Sequence, residues 1–445
     1  MSTTKNYWLH SGIINLLQNA LTVLVGFAGF YLLVRVLPKE EYGTWILYLS
    51  VVGILEIARN GLTQNAIIKY LSAAEGLEQG KITTASLVVN ATLTVFISFL
   101  IIALAPYSGT VWHSELLPQM FYLYCLQFLI SSLLNQFNCM EQAKLSFTGT
   151  FVSNTVRQVL FLGYLVYCFT YRQHASLFTL VYVQLIAVII ATGIAWYYSR
   201  RHLLFSKKLD INWMKKILHY GKYAFGISIS SMLSSSIDQM MLGSMLSKAA
   251  TGSYNIAVRI SNLVDIPTNA MAAIVFPQSA KRVEEEGISA LKYLYEKSVG
   301  TILGLLVPAL LFVFLFTEPI ITLLVGEQYH DAIPLLHITL VTALFVPYGR
   351  QVGTILSAAG RTRLNFFIVL FTALVNILLN FFFIKQMGVV GAAYATLIAN
   401  AVGFLAAQFI LRKDYHINMW NPWAYAWLFY KELYQKFILK SPKSA

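Results

Sequence analysis

The sequence predicts an all-α polytopic membrane protein, with twelve transmembrane helices in two pseudo-symmetric six-helix lobes. Three observations predict it. Of 445 residues, 57% are hydrophobic and only 11% charged, against roughly 25% charged in an average soluble domain. A water-facing surface cannot be built from so few charges. Apolar stretches of about 20 residues, the length that crosses a bilayer, recur along almost the whole chain. The longest internal loops, 199–218 and 278–296, are too short for an extramembrane domain.

The elements follow in order. Residues 11–34 are too long for the apolar region of a cleaved signal, and no A-x-A site follows, so they read as the first membrane helix. Next come spans 43–66, 83–105, 116–138, 147–170 and 176–198, which complete a first lobe over 1–205. After a basic linker, spans 219–243, 252–277, 297–317, 332–357, 364–384 and 388–411 make a second lobe over 206–411. The tail 412–445 mixes Trp420, Trp423, Trp427, Phe429 and Tyr430 with Lys431, Lys436 and Lys440. That pattern fits an amphipathic interfacial helix on the cytoplasmic leaflet.

Basic residues orient the chain. With the N-terminus inside, the even-numbered loops and both tails hold 22 Lys and Arg, whereas the opposite side holds five: Arg35, Lys39, Arg172, Lys248 and Lys385. The positive-inside rule then places both termini in the cytoplasm. The same asymmetry accounts for the net charge of +13 without invoking nucleic acid.

The halves resemble one another. Shifting residues 37–60 by 209 superposes Leu37 on Leu246, Lys39 on Lys248, Gly43 on Gly252, Ile57 on Ile266 and Asn60 on Asn269. Six helices return the chain to its starting side, so the repeat is parallel. Its pseudo-two-fold axis would run along the membrane normal, with a cavity between the lobes.

Ionised side chains inside a bilayer cost several kcal/mol even on lenient scales (about 2.5–3.5), so each needs a wet cavity or a partner. Glu56 and Arg59 lie on the second span, Arg157 on the fifth, Asp238 on the seventh, Arg259 and Asp265 on the eighth and Arg350 on the tenth. Glu56 and Arg59, three apart, can pair on one helical face. Four Arg against three acids leave a mildly cationic interior. Arg59, Arg157, Arg259 and Arg350, with Glu56 and Asp265, are the candidate substrate-binding set. A guanidinium fork suits phosphate oxygens and stays protonated when desolvated. Asn376 and Asn380, and Thr396 and Asn400, stand one helical turn apart on the eleventh and twelfth spans.

No chemistry-bearing motif is found. Cys125, Cys139 and Cys168 show no CxxC spacing, the eight His are scattered, and no resident cofactor or metal site is indicated. Walker A, G-x-S-x-G and H-E-x-x-H are missing, so an enzyme is not expected.

At this point the residues resemble a known family. Leu33-Val34-Arg35-Val36-Leu37-Pro38-Lys39-Glu40-Glu41-Tyr42-Gly43 is similar to the first-loop signature of bacterial polysaccharide flippases of the Wzx type. Ile237-Asp238-Gln239-Met240-Met241-Leu242-Gly243 with Gly252-Ser253-Tyr254, Phe276-Pro277, Ala358-Ala359-Gly360-Arg361 and Gly388-Val389-Val390-Gly391-Ala392-Ala393 also fit. The resemblance places the chain in the multidrug/oligosaccharidyl-lipid/polysaccharide (MATE-like) exporter superfamily. It implies a V-shaped cavity through which an undecaprenyl-diphosphate-linked oligosaccharide, an O-antigen or other surface-polysaccharide unit, crosses from the cytoplasmic to the periplasmic leaflet by alternating access. Implied partners are that glycan lipid, the bilayer and polysaccharide assembly proteins. Related lipid II flippases bind sodium through an Asp on helix 7, an Asn and an Asp on helix 11, and a Thr on helix 12. Asp238, Asn376, Asn380 and Thr396 occupy similar places, with Asn380 where the second Asp stands. Sodium and proton both remain open as coupling ion. The alternatives are a multidrug exporter of the same superfamily, which the Arg excess disfavours, and a polysaccharide polymerase or ligase. The latter would need catalytic residues on a large outer loop, whereas loop 318–331 is short and carries no Arg.

Overall fold

The computed structural model describes residues 18, 21–286 and 290–435. Most of the start of the first expected span and the last ten residues of the tail lie outside them. The described secondary structure is helical throughout. Its helices are α1 (Leu21–Val36), α2 (Lys39–Ser72), α3 (Gly76–Val111), α4 (Leu116–Ala143), α5 (Thr148–Thr170) and α6 (Leu177–Ser199). Then follow α7 (Ile211–Met245), α8 (Lys248–Ser261), α9 (Asp265–Glu286), α10 (Ala290–Leu315), α11 (Thr317–Val325), α12 (Ile333–Ala343) and α13 (Val346–Ala358). The chain ends with α14 (Thr362–Met387), α15 (Val389–Tyr415) and α16 (Asn421–Tyr434).

Among the described residues, eight helical segments are long and apolar enough to cross a membrane. The long helices that fall short are instructive. They are α5, α7 and α9, which carry Arg157, Asp238 and Asp265. A helix surrounded by lipid must be apolar all round, whereas one that shelters polar groups inside the protein need not be.

Two compact units divide the chain. One comprises Met1–Met232 and Ser247–Ala249, the other Leu233–Leu246 and Ala250–Ala445. The division falls inside α7, beyond the residue 205 border read from the loops. In the first unit, α4 packs against α2, α3 and α6, and α5 lies on α6. Ile67, Leu71, Ile82, Cys139 and Met140 form part of its core.

In the second unit two expected spans are interrupted. The eighth breaks at a single turn of 3-10 helix, Asn262–Val264, and resumes as α9. The tenth breaks between α12 and α13. In both, a proline (Pro267, Pro347) opens the second piece. Proline has no N–H to continue the ladder but suits a helix's first turn. Asp265 and Arg350 stand beside these breaks.

Helix α16 does more than lie on a leaflet surface, as its composition suggested. It packs along α10. Gly300 and Gly304 are spaced for close helix approach. A Cβ on Gly300 would stand 2.5 Å from the Pro422 carbonyl oxygen and from Tyr425 Cβ. Glu296, buried on α10, accepts hydrogen bonds from the Asn418 backbone N–H and the Asn421 side-chain amide, both at 2.9 Å. Tyr430 donates its hydroxyl proton to the Gly304 carbonyl.

Candidate functional site

The second unit gathers four of the residues singled out in the sequence. Helices α14 and α15 form a hairpin about Gly388, whose φ of +64 is a conformation that glycine adopts freely. A Cβ on Gly391 would stand 2.1 Å from the Phe383 carbonyl oxygen, so glycine there lets the two helices close. Asn380 lies eight residues before the turn and Thr396 eight after it, which sets them side by side.

Asp238 of α7 meets that pair. Its side chain is 3% exposed, and Asn380 and Asn376 are 0% and 2% exposed. Asn380 Nδ2 donates to Asp238 Oδ1 at 2.6 Å, and Thr396 Oγ1 donates to Oδ2 at 2.6 Å. A fifth residue, Tyr254 of α8, donates its hydroxyl proton to Oδ2 at 2.9 Å and lies 3.2 Å from Thr396 Oγ1. Asn376 Nδ2 in turn donates to Thr396 Oγ1 at 3.2 Å. Asn380 Nδ2 also lies 3.0 Å from the Asn376 backbone oxygen and 3.1 Å from its Oδ1. The carboxylate is thus held by three neutral donors from three other helices. Bonds to an ionised group are worth about 1.5–3 kcal/mol each. Tyr254 was legible in the sequence only as part of a loop motif. Its value here comes from a polar tip on an otherwise apolar ring, a feature that spacing does not reveal.

The first unit holds the opposite charge. Arg59 of α2 is 1% exposed. Its Nη1 donates to the Phe128 carbonyl at 2.8 Å and to Ser131 Oγ at 3.1 Å, and its Nε donates to Asn60 Oδ1 at 3.1 Å. The guanidinium also sits 4.3 Å from the centre of the Phe128 ring. Glu56, partly exposed one turn away, acts on Arg59 through its charge, and no direct salt bridge joins the two among the described residues. The pairing expected from their spacing is therefore electrostatic only. The acceptors that matter are a backbone carbonyl and two neutral side chains, which residue identity cannot flag.

The other candidates are more open. Arg157 on α5 is partly buried, and no hydrogen-bonding or ionic partner for it is found among the described residues. Arg259 on α8 is partly buried and interacts with its surroundings. Arg350 and Asp265 are both exposed and attract one another through their charges. The structure thus brings Asp238, Asn376, Asn380 and Thr396 together in one cluster, whereas the links found between substrate candidates among the described residues are charge attractions, Glu56 with Arg59 and Asp265 with Arg350. No group of three or more His, Cys, Asp or Glu able to hold a metal ion is found among the described residues.

Comparison with known proteins gives a consistent picture. Residues 32–334 match the family described as "Polysaccharide biosynthesis protein". The "Probable low-salt glycan biosynthesis flippase Agl15" of Haloferax volcanii is 22% identical over 84% of this chain and 77% of its own length. The "Lipopolysaccharide biosynthesis protein WzxC" of Escherichia coli is 21% identical over 87% of this chain and 75% of its own. Among solved structures, lipid II flippase MurJ in an inward closed conformation superposes with a TM-score of 0.77 at 13% identity, covering 98% of this chain and 94% of that one. An inward-facing MATE family multidrug resistance transporter of the MOP superfamily gives 0.72 at 15% identity, over 88% and 96%.

Proposed function

The chain belongs to the polysaccharide biosynthesis protein family, and from that premise we propose that it flips a lipid-linked oligosaccharide across the bacterial inner membrane. The substrate is an undecaprenyl-diphosphate-linked repeat unit of a surface polysaccharide. It moves from the cytoplasmic to the periplasmic leaflet as the binding groups are exposed alternately to the two sides. Both termini are cytoplasmic.

The observation that carries this reading is Arg157, a guanidinium within a membrane-length helix with no compensating acid among the described residues. A positive charge left uncompensated in a low-dielectric setting costs several kcal/mol. Such a charge is retained where it meets an anion in the working cycle. A diphosphate supplies that anion, and the planar fork of Arg binds its oxygens bidentately. Arg259 and Arg350 extend the cationic character through the second unit, and Asp265 and Glu56 temper it. Arg59 acts differently. Its donors are already engaged by α4, so it fastens α2 to α4 and leaves substrate contact to the other three. The glycan headgroup crosses through the protein interior while the lipid tail remains in the bilayer. The chain has no nucleotide-hydrolysing motif, so the direction of transport is set by an ion gradient or by removal of the product. No chemical bond in the substrate is made or broken.

The test is cellular. Without the chain, lipid-linked units should accumulate on the cytoplasmic face, and the wild-type protein should clear them. Arg157→Ala, inserted at the wild-type level, should leave them in place. Full export by an Arg157→Ala/Arg259→Ala double variant would end this reading.

A further inference from the structure

We infer that this chain supplies, from its own Asn380 and Tyr254, the positive partner that a sodium ion would provide at Asp238, and that the site does not take sodium. Four residues place oxygens and amides around one carboxylate, which is the chemistry a hard cation wants. A cation, however, needs lone pairs turned toward it, and here hydrogens are turned inward instead.

Asn380 Nδ2 has three acceptors: Asp238 Oδ1 at 2.6 Å, the Asn376 backbone oxygen at 3.0 Å and Asn376 Oδ1 at 3.1 Å. Two N–H groups face three oxygens. The nitrogen occupies the point on which those oxygens converge, where a cation would otherwise collect them. On the other side, Oδ2 receives the hydroxyl protons of Thr396 and Tyr254. The carboxylate is answered on both oxygens.

The atom of Asn380 able to ligate a metal, Oδ1, is buried without a partner. Exchanging it with Nδ2 would set an oxygen against three other oxygens and strand the amide hydrogens. The acid that the resemblance implies at this position, when ionised, has no hydrogen to offer and so calls for a cation or a proton. Asn380 removes that requirement, and Tyr254 adds a donor that reinforces the change.

The test uses the purified full chain in lipid nanodiscs and reads ion binding, so it is independent of whether the glycan reading stands. Thermal unfolding is compared in sodium chloride and choline chloride at equal ionic strength, together with binding of radioactive sodium. Wild type should show no sodium-specific shift. Asn380→Asp should gain a saturable, sodium-specific rise in Tm of about 2–4 °C, and adding Asp238→Asn should abolish it. If Asn380→Asp does not accumulate, Asn380→Ser, which removes the amide hydrogens and keeps an oxygen, should show a smaller gain of the same kind. Saturable sodium binding by wild type that Asp238→Asn removes would overturn the inference. So would folded Asn380 variants that gain no response to sodium.

Discussion

Arg59 in the first unit and Asp238 in the second carry opposite charges at nearly complete burial. Neither is neutralised by a direct ion pair among the described residues. Arg59 is held by a helix carbonyl, a serine, an asparagine and the face of a phenylalanine. Asp238 is held by an asparagine, a threonine and a tyrosine. A charge met by neutral dipoles is stabilised without being cancelled. Their neighbourhoods differ in plasticity. Arg59's principal acceptor is a backbone oxygen, which cannot reorient. The partners of Asp238 are hydroxyls and amides, which turn about single bonds. The first site is suited to fastening helices, the second to exchanging partners.

The largest effect should come from stripping the second site. Asp238→Ala takes away the acceptor shared by three buried donors, at about 1–3 kcal/mol for each bond lost. The protein should lose about 3 kcal/mol or more of stability, read by thermal unfolding in detergent. A variant as stable as wild type would show that the cluster reorganises freely.

Arg59→Lys should come next, at about 2 kcal/mol. A lysine keeps the charge but cannot span the carbonyl, the serine and the asparagine as one planar fork. Stability and export should fall together. Loss of export with unchanged unfolding would instead make Arg59 a substrate ligand and dissolve the contrast between the two sites.

Tyr254→Phe keeps the buried ring and removes one donor, so about 1 kcal/mol should be lost. The smallest change in stability belongs to Arg157→Ala, within about 0.5 kcal/mol of wild type, because no partner among the described residues is stranded. Its export should nonetheless disappear. That pairing of a silent unfolding curve with a failed transport assay separates Arg157 from Arg59, although both are arginines in the same unit.

Much of the fold was legible because lipid imposes a one-dimensional code. Runs such as 83–105 and 364–384 announce helices by composition alone, and both fall within membrane-length helices of the structure. The broken eighth and tenth spans were less legible. Their hydropathy is continuous, and only Pro267 and Pro347 hint that the backbone ladder stops. The docking of the tail was hidden because its aromatic residues suit a lipid headgroup region and a helix groove equally well. At the site, four residues of the Asp238 cluster could be named in advance from their resemblance to a related pattern, whereas Tyr254 could not.

The sequence by itself determined that the chain is helical, membrane-borne and sparing with charge, because those properties depend on local composition and on the length of apolar runs. It also determined which charges had to be explained. Only the tertiary structure decided how each was explained. Arg59 found a carbonyl 69 positions away, and Asp238 found Asn380 and Thr396 at separations of 142 and 158. Contacts at such distances are set by how whole helices pack, and a backbone oxygen looks the same in every residue until packing places it.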